Sequence, residues 1–157
     1  MAGQDNIAKS VRLAWSESYF TPLMPTNHIY YDKAEQPAGK AGFPYASMKI
    51  EQVDFEVVTQ LAPSYSLVTY QLIIDVWTCQ DMTGGTSQSD QVVDQGNLMR
   101  AFQSVLNFIT PNQAWNYVLG FLHCLPMSEA TLKKDEELYL GKDVYKSTQN
   151  WSILCQE

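Results

Sequence analysis

The chain has 157 residues, 45% of them hydrophobic and 17% charged, the proportions of one globular domain with a single core over 1–157. Seventeen acidic residues against ten basic ones give a formal charge of −7. A surface that holds nucleic acid by its phosphates needs a basic face. The densest basic pair, Lys133-Lys134, is followed at once by Asp135, Glu136 and Glu137, so capture of DNA or RNA is not expected, although a surface that DNA slides past is compatible with this charge.

The opening "MAGQDNIAKSV" has neither a charged n-region nor an apolar h-region. No apolar run approaches the roughly 18–20 residues of a membrane span. The expectation is a chain made and used inside a cell. Residues 5–20, "DNIAKSVRLAWSESYF", read as a first helix. Asp5 or Asn6 can cap it, Ile7, Val11, Ala14 and Trp15 share one face, and Thr21-Pro22 ends it. His28 to Tyr31 can form a short strand, and the Pro-, Gly- and Lys-bearing stretch 32–42 reads as a surface loop.

A long strand begins at Phe43. Met48 and Ile50 occupy one parity and Val53, Phe55 and Val57 the other, which requires a bulge near Glu51–Gln52 or a change of covered face. Lys49, Glu51, Asp54 and Glu56 fall on the solvent side. After the turn at Pro63-Ser64, Tyr65 to Cys79 is almost uninterrupted strand. Val68, Tyr70, Leu72, Ile74 and Val76 lie on one face, and Tyr65, Leu67, Ile73 and Trp77 on the other. The two runs read as an antiparallel hairpin.

"QDMTGGTSQSD" is a loop, and Ser87-x-x-Asp90 can cap a second helix over 89–109, where Val92, Met99, Phe102, Leu106 and Ile109 keep helical spacing. Gly96 inside it reads as close packing over the sheet, in preference to a functional hinge. Strand-like runs follow at 114–125 and 144–156, separated by polar sequence at 126–143. The fold class is therefore α+β: an antiparallel sheet with a long β-hairpin, packed by two helices at 5–20 and 89–109.

Fifteen extended residues span roughly 50 Å at about 3.3 Å each, whereas a domain of this length is about 40 Å across. A straight two-stranded arm would outreach its own body and need a second copy to cover it. A bulged hairpin that curls over its own core is the alternative. A head-to-tail contact between copies generates a ring or a filament.

The chemistry-bearing residues are sparse. Cys79, Cys124 and Cys155 are an odd number at wide spacing and read as reduced, half-buried side chains. His123 and Cys124 are adjacent, so on a strand they point to opposite faces and cannot chelate one ion. No C-x-x-C, H-x-x-x-H, P-loop or G-x-S-x-G pattern exists. The one nucleophile–base pairing available is Cys124 with His28, the sole support for a small enzyme or ligand-binding module. No catalytic, cofactor-binding or metal residues are assigned.

Aromatic side chains carry more weight, with four tryptophans and nine tyrosines. Tyr30, Tyr31, Tyr45 and Tyr139 border loops, where aromatic anchors serve subunit contacts. With Phe43 and Pro44 at the strand start, and Tyr65 and Leu67 on the long strand, they form the expected contact set.

An N-terminal helix leads to "HIYYDKAEQP", "FPYASMKI" opens a long strand, and the hairpin returns through "LIIDVWTCQ" to a Gly/Ser/Asp loop and an amphipathic helix. Over about residues 5–110 this order resembles the tail-terminator and tail-completion proteins of long-tailed bacteriophages. Phe43-Pro44-Tyr45 is similar to the family's aromatic-Pro-Tyr strand start, and Asp75-Val76-Trp77 to its strand end. The resemblance implies a structural neck subunit of the virion, assembled in the host cytoplasm. Such subunits form a homo-oligomeric, hexameric ring that caps the tail tube and joins tail to head. Their partners are the tail-tube protein and a head-completion or connector protein. DNA passes through the lumen without specific binding, and neither cofactor nor membrane is involved. A head-completion, stopper or tube-like neck part is the neighbouring expectation.

Overall fold

The computed structural model describes residues 3–31, 43–58, 65–79, 88–106, 121–129, 131–134 and 141–156. Helix α1 spans Gln4–Ser16, and strand β1 spans Ile29–Tyr31. The hairpin strands are β2, Tyr45–Val58, and β3, Tyr65–Cys79. Helix α2 covers Gln88–Leu106, followed by β4, Phe121–Pro126, β5, Thr131–Lys134, and β6, Val144–Gln156. The six strands form one sheet in the order β1-β2-β3-β6-β4, with β5 also on β6. Both helices lie against one face.

That face holds the main core. Ala46, Met48 and Ile50 of β2, the even positions 68 to 76 of β3, and Trp151, Ile153 and Cys155 of β6 meet Ile7, Val11, Trp15, Met99, Phe102 and Leu106 of the helices. This is the period-two pattern of a half-covered sheet meeting the 3.6-residue pattern of amphipathic helices. Trp15 stacks on Phe102 with ring centroids 4.5 Å apart, joining α1 to α2.

The first helix ends earlier than its sequence suggests. The Ser16 hydroxyl donates to the Leu13 carbonyl and the Ser18 hydroxyl to the Trp15 carbonyl, 2.8 and 2.6 Å away, and Ser18 also accepts from the Phe20 N–H. Such serine bonds offer the backbone an alternative to further helix. Gly3, rather than Asp5 or Asn6, occupies the N-cap position, and Asp5 sits in the first turn, where the helix dipole favours an acid. The expected second helix is present from 88 to 106; its Ser87 cap and Ile109 lie outside the described residues. At Gly96 an added Cβ would find nothing described within 4 Å beyond the helix itself, so close packing does not account for this glycine.

The sheet is mixed rather than purely antiparallel. β1 pairs parallel to β2, Ile29 opposite Ala46 and Tyr31 opposite Met48. A parallel return needs a crossover of about a dozen residues or more, and positions 32–44 supply that length. Three contacts fix the entry to this corner. The Trp15 indole N–H donates to Met24 O at 2.9 Å, Arg12 Nε to Ile29 O at 3.0 Å, and His28 Nδ1 to Pro44 O at 2.9 Å.

The hairpin itself differs from a free two-stranded arm. β3 pairs with β2 on one side and with β6 on the other, from Leu67–Gln156 to Cys79–Val144. Thirteen residues of the same chain thus cover its second edge. The sheltering expected of a sister copy comes largely from β6 of the same chain, because Trp151, Ile153 and Cys155 carry the matching alternation. The expected bulge is present one residue further on, between Gln52 and Asp54. It returns Phe55 and Val57 to the face of Met48 and Ile50, opposite Val68 and Ser66.

Candidate assembly surfaces

Chemistry of the catalytic kind is not brought together among the expected residues. His28 precedes β1 and Cys124 lies on β4, at opposite edges of the sheet. Four strand spacings of about 4.8 Å separate them by roughly 19 Å across the sheet alone. Burial pushes the Cys124 thiol up from 9.0 to about 12, which keeps it protonated and unreactive. His123 and Cys124 point to opposite faces, paired with Leu154 and Ile153 respectively. Among the described residues no group of three His, Cys, Asp or Glu side chains could hold a metal ion. None of the three cysteines is in a disulfide, and they are fully rather than half buried. No helix in the described residues is long and apolar enough to cross a membrane.

The expected contact residues divide sharply. Phe43 and Tyr45 pack with Trp77, Cys79, Val144 and Tyr30 in a second, smaller cluster on the face away from the helices. Tyr45 is 1% exposed, stacked on Trp77 at 5.8 Å and edge-on to Tyr30 at 6.1 Å. Phe43 and Tyr45 are thus buried inside the chain, and Tyr30 is half-buried against them. Pro44, after a cis Phe43–Pro44 bond, is half-buried and accepts the His28 bond. Tyr31 packs on the main core. Leu67 is half-buried at the far end of the sheet. The Tyr65 side chain and Tyr139 lie outside the described residues.

The exposed apolar side chains are elsewhere. β1 covers only 46–48 of β2, so the rest of that strand, 49–58, is an edge among the described residues. Val53, Phe55 and Val57 on it are 53%, 52% and 51% exposed. Lys49, Glu51, Asp54 and Glu56 alternate with them on the opposite face, and Lys49 pairs with Glu51 at 2.8 Å. The edge is therefore apolar on one face and acidic on the other.

The far edge is formed by β4 and β5, which run in line along β6 and are interrupted at 127–130. The break is held to β6 by Met127 N–H donating to Asn150 O at 2.9 Å and by the Gln149 amide donating to Ser128 O at 2.8 Å. Gln149 in turn accepts from Gln103 of α2. Pro126, without an N–H, falls where edge strands tolerate it. Leu122 and Leu125 are 44% and 54% exposed, and Met127 and Leu132 are also exposed. The sequence at 126–143 reads as polar and exposed, and within it "TLKK" nevertheless forms β5.

Beside β5, Thr131, Lys133, Lys146 and Thr148 line an open hollow of about 220 Å3. Lys133 and Lys146 are directly opposed across the strand pair, an unfavourable like-charge pairing. Asp75 relieves it by accepting from the Thr148 hydroxyl at 2.5 Å and lying 3.7 Å from the Lys146 ammonium, which also stands 5.0 Å over the Trp77 ring.

Sequence parity had singled out Val53, Phe55 and Val57, but as a covered face. Their exposure follows from what lies above the sheet, which parity does not report. No family model matches the chain, and no curated protein matches it.

Proposed function

We propose that the chain is a structural, non-catalytic subunit of a phage neck, forming a ring, taken as a hexamer, that caps the tail tube and joins the tail to the head. Its partners in this reading are further copies of itself, the tail-tube protein and a head-completion or connector protein. It resides in the virion after assembly in the host cytoplasm. The observation that carries the reading is a sheet with exposed apolar residues on two different edges, Val53, Phe55 and Val57 on one and Leu122 and Leu125 on the other. Two distinct sticky edges on one chain support head-to-tail association, which closes into rings or grows into filaments. A formal charge of −7 supports a lumen through which DNA passes without being held. Mass spectrometry of purified tails and whole virions tests the proposal. The chain is expected in both, at a few copies per particle and far below the tube protein; its absence from both refutes the neck role.

A further inference from the structure

From the two edges left open among the described residues we infer that residues 49–58 of β2 pair antiparallel with β4 of a second copy. The inference rests on the ring reading above and deepens it by naming the contact. Three features of the sheet lead to it.

The first is direction. β2 opposes β3, β3 opposes β6, and β6 opposes β4, so β2 and β4 run in opposite senses. A copy placed alongside in the same orientation therefore meets β2 with β4 in the antiparallel arrangement that edge strands template. The second is level. Gln52 aligns through Tyr70 and Ile153 with Cys124, and Phe55 through Val68 and Cys155 with Phe121. The open half of β2 and the whole of β4 thus lie at one height across the sheet. Joining copies side by side without sliding one sheet along the other brings Phe55, on the helix-covered face, to the level of Phe121 on that same face, while Leu125, opposite Ser152, lies on the other face.

The third is charge, which selects the occupant. Pairing β2 with another β2 would bring Glu51, Asp54 and Glu56 of both copies onto one strand pair, against a single lysine per copy that Glu51 already engages. Like charges across a strand pair are unfavourable. β4, Phe-Leu-His-Cys-Leu-Pro, contains no acidic residue, and it lies level with Glu51 and Asp54, whereas Lys133 of β5 lies level with Tyr45. The acidic edge therefore fits the uncharged β4 edge of a second copy better than it fits itself. Pairing β4 with β4 would leave the β2 patch in water.

The test uses two full-length variants with substitutions at exposed positions, Phe55→Glu and Leu125→Glu, each checked for an unchanged near-UV spectrum and urea midpoint. Sedimentation velocity from micromolar to near-millimolar concentration reads the outcome. Wild type is expected to form species larger than a dimer, and each variant alone to remain at the chain mass of 17.8 kDa. An equimolar mixture should form a one-to-one pair of twice that mass and grow no further, because one partner keeps only its β4 edge and the other only its β2 edge. A wild type that stays monomeric throughout, a mixture that stays unpaired, or Leu125→Glu dimerising alone would each overturn the contact. A mixture that pairs, from a chain missing in virions, would leave the contact standing and remove the neck role. A chain present in tails whose mixed variants never pair would do the reverse.

Discussion

Replacing Gln95 by leucine should destabilise the fold by about 2 kcal/mol, although it removes a polar group from a buried position. The Gln95 amide nitrogen, on α2, lies 3.1 Å from Val76 O, 2.9 Å from Thr78 Oγ1 and 2.9 Å from Tyr145 O. An amide has two hydrogens, so one of them is shared. Two bonds at about 1 kcal/mol net are lost in the leucine variant, and the stranded acceptors add about 1–3 kcal/mol. Against this, Gln95 Oε1 is buried without a hydrogen-bond partner among the described residues, and its removal returns a similar 1–3 kcal/mol. The last two contributions nearly cancel, leaving the two lost bonds. With a urea m-value of about 2 kcal/mol/M for a chain of this size, the unfolding midpoint should fall by about 1 M. Gln95→Glu should fall further, since it aims a carboxylate at three oxygens. A leucine midpoint equal to or above wild type would mean that the unpartnered oxygen outweighs the donor bonds, so that Gln95 does not stabilise the packing of α2 on the sheet.

Gly96→Ala should stabilise the protein by about 0.5–1 kcal/mol, the usual cost of glycine inside a helix, because its new methyl meets no described atom within 4 Å; a lowered melting temperature would restore a packing role for the glycine. Cys124 predicts a pH dependence. Its folded value of about 12 lies above the ordinary 9.0, so the unfolded chain releases this proton first as pH rises. The contribution is intact below pH 9 and is lost progressively toward pH 12. Cys124→Ala, compared with wild type by urea unfolding across that range, should show a shallower alkaline decline even if it starts from lower stability. Parallel curves would contradict the assignment.

Much of the fold was legible in the sequence because it is written in short-range periodicity. Alternation from Tyr65 to Cys79 specifies a strand of that length and the face it covers. The parity switch between Ile50 and Val53 places a bulge or a change of covered face to within one residue of the bulge found, and helical spacing from Met99 to Leu106 specifies the buried face of α2. Each of these is a property of neighbouring residues and the geometry of one backbone segment. Partner choice is not. Thr148 meets Asp75 across 73 positions of chain, and nothing local to either residue states that β6, rather than a sister copy, lies beside β3. The parallel seating of β1, the Gln95 and Gln149 bonds between helix and sheet, and the enclosure of Phe43 and Tyr45 are likewise consequences of which elements become neighbours in space. The same holds for the exposed edges. Val57 carries the same side chain as Val76, and only the layer above each one leaves the first in contact with water and puts the second in the core.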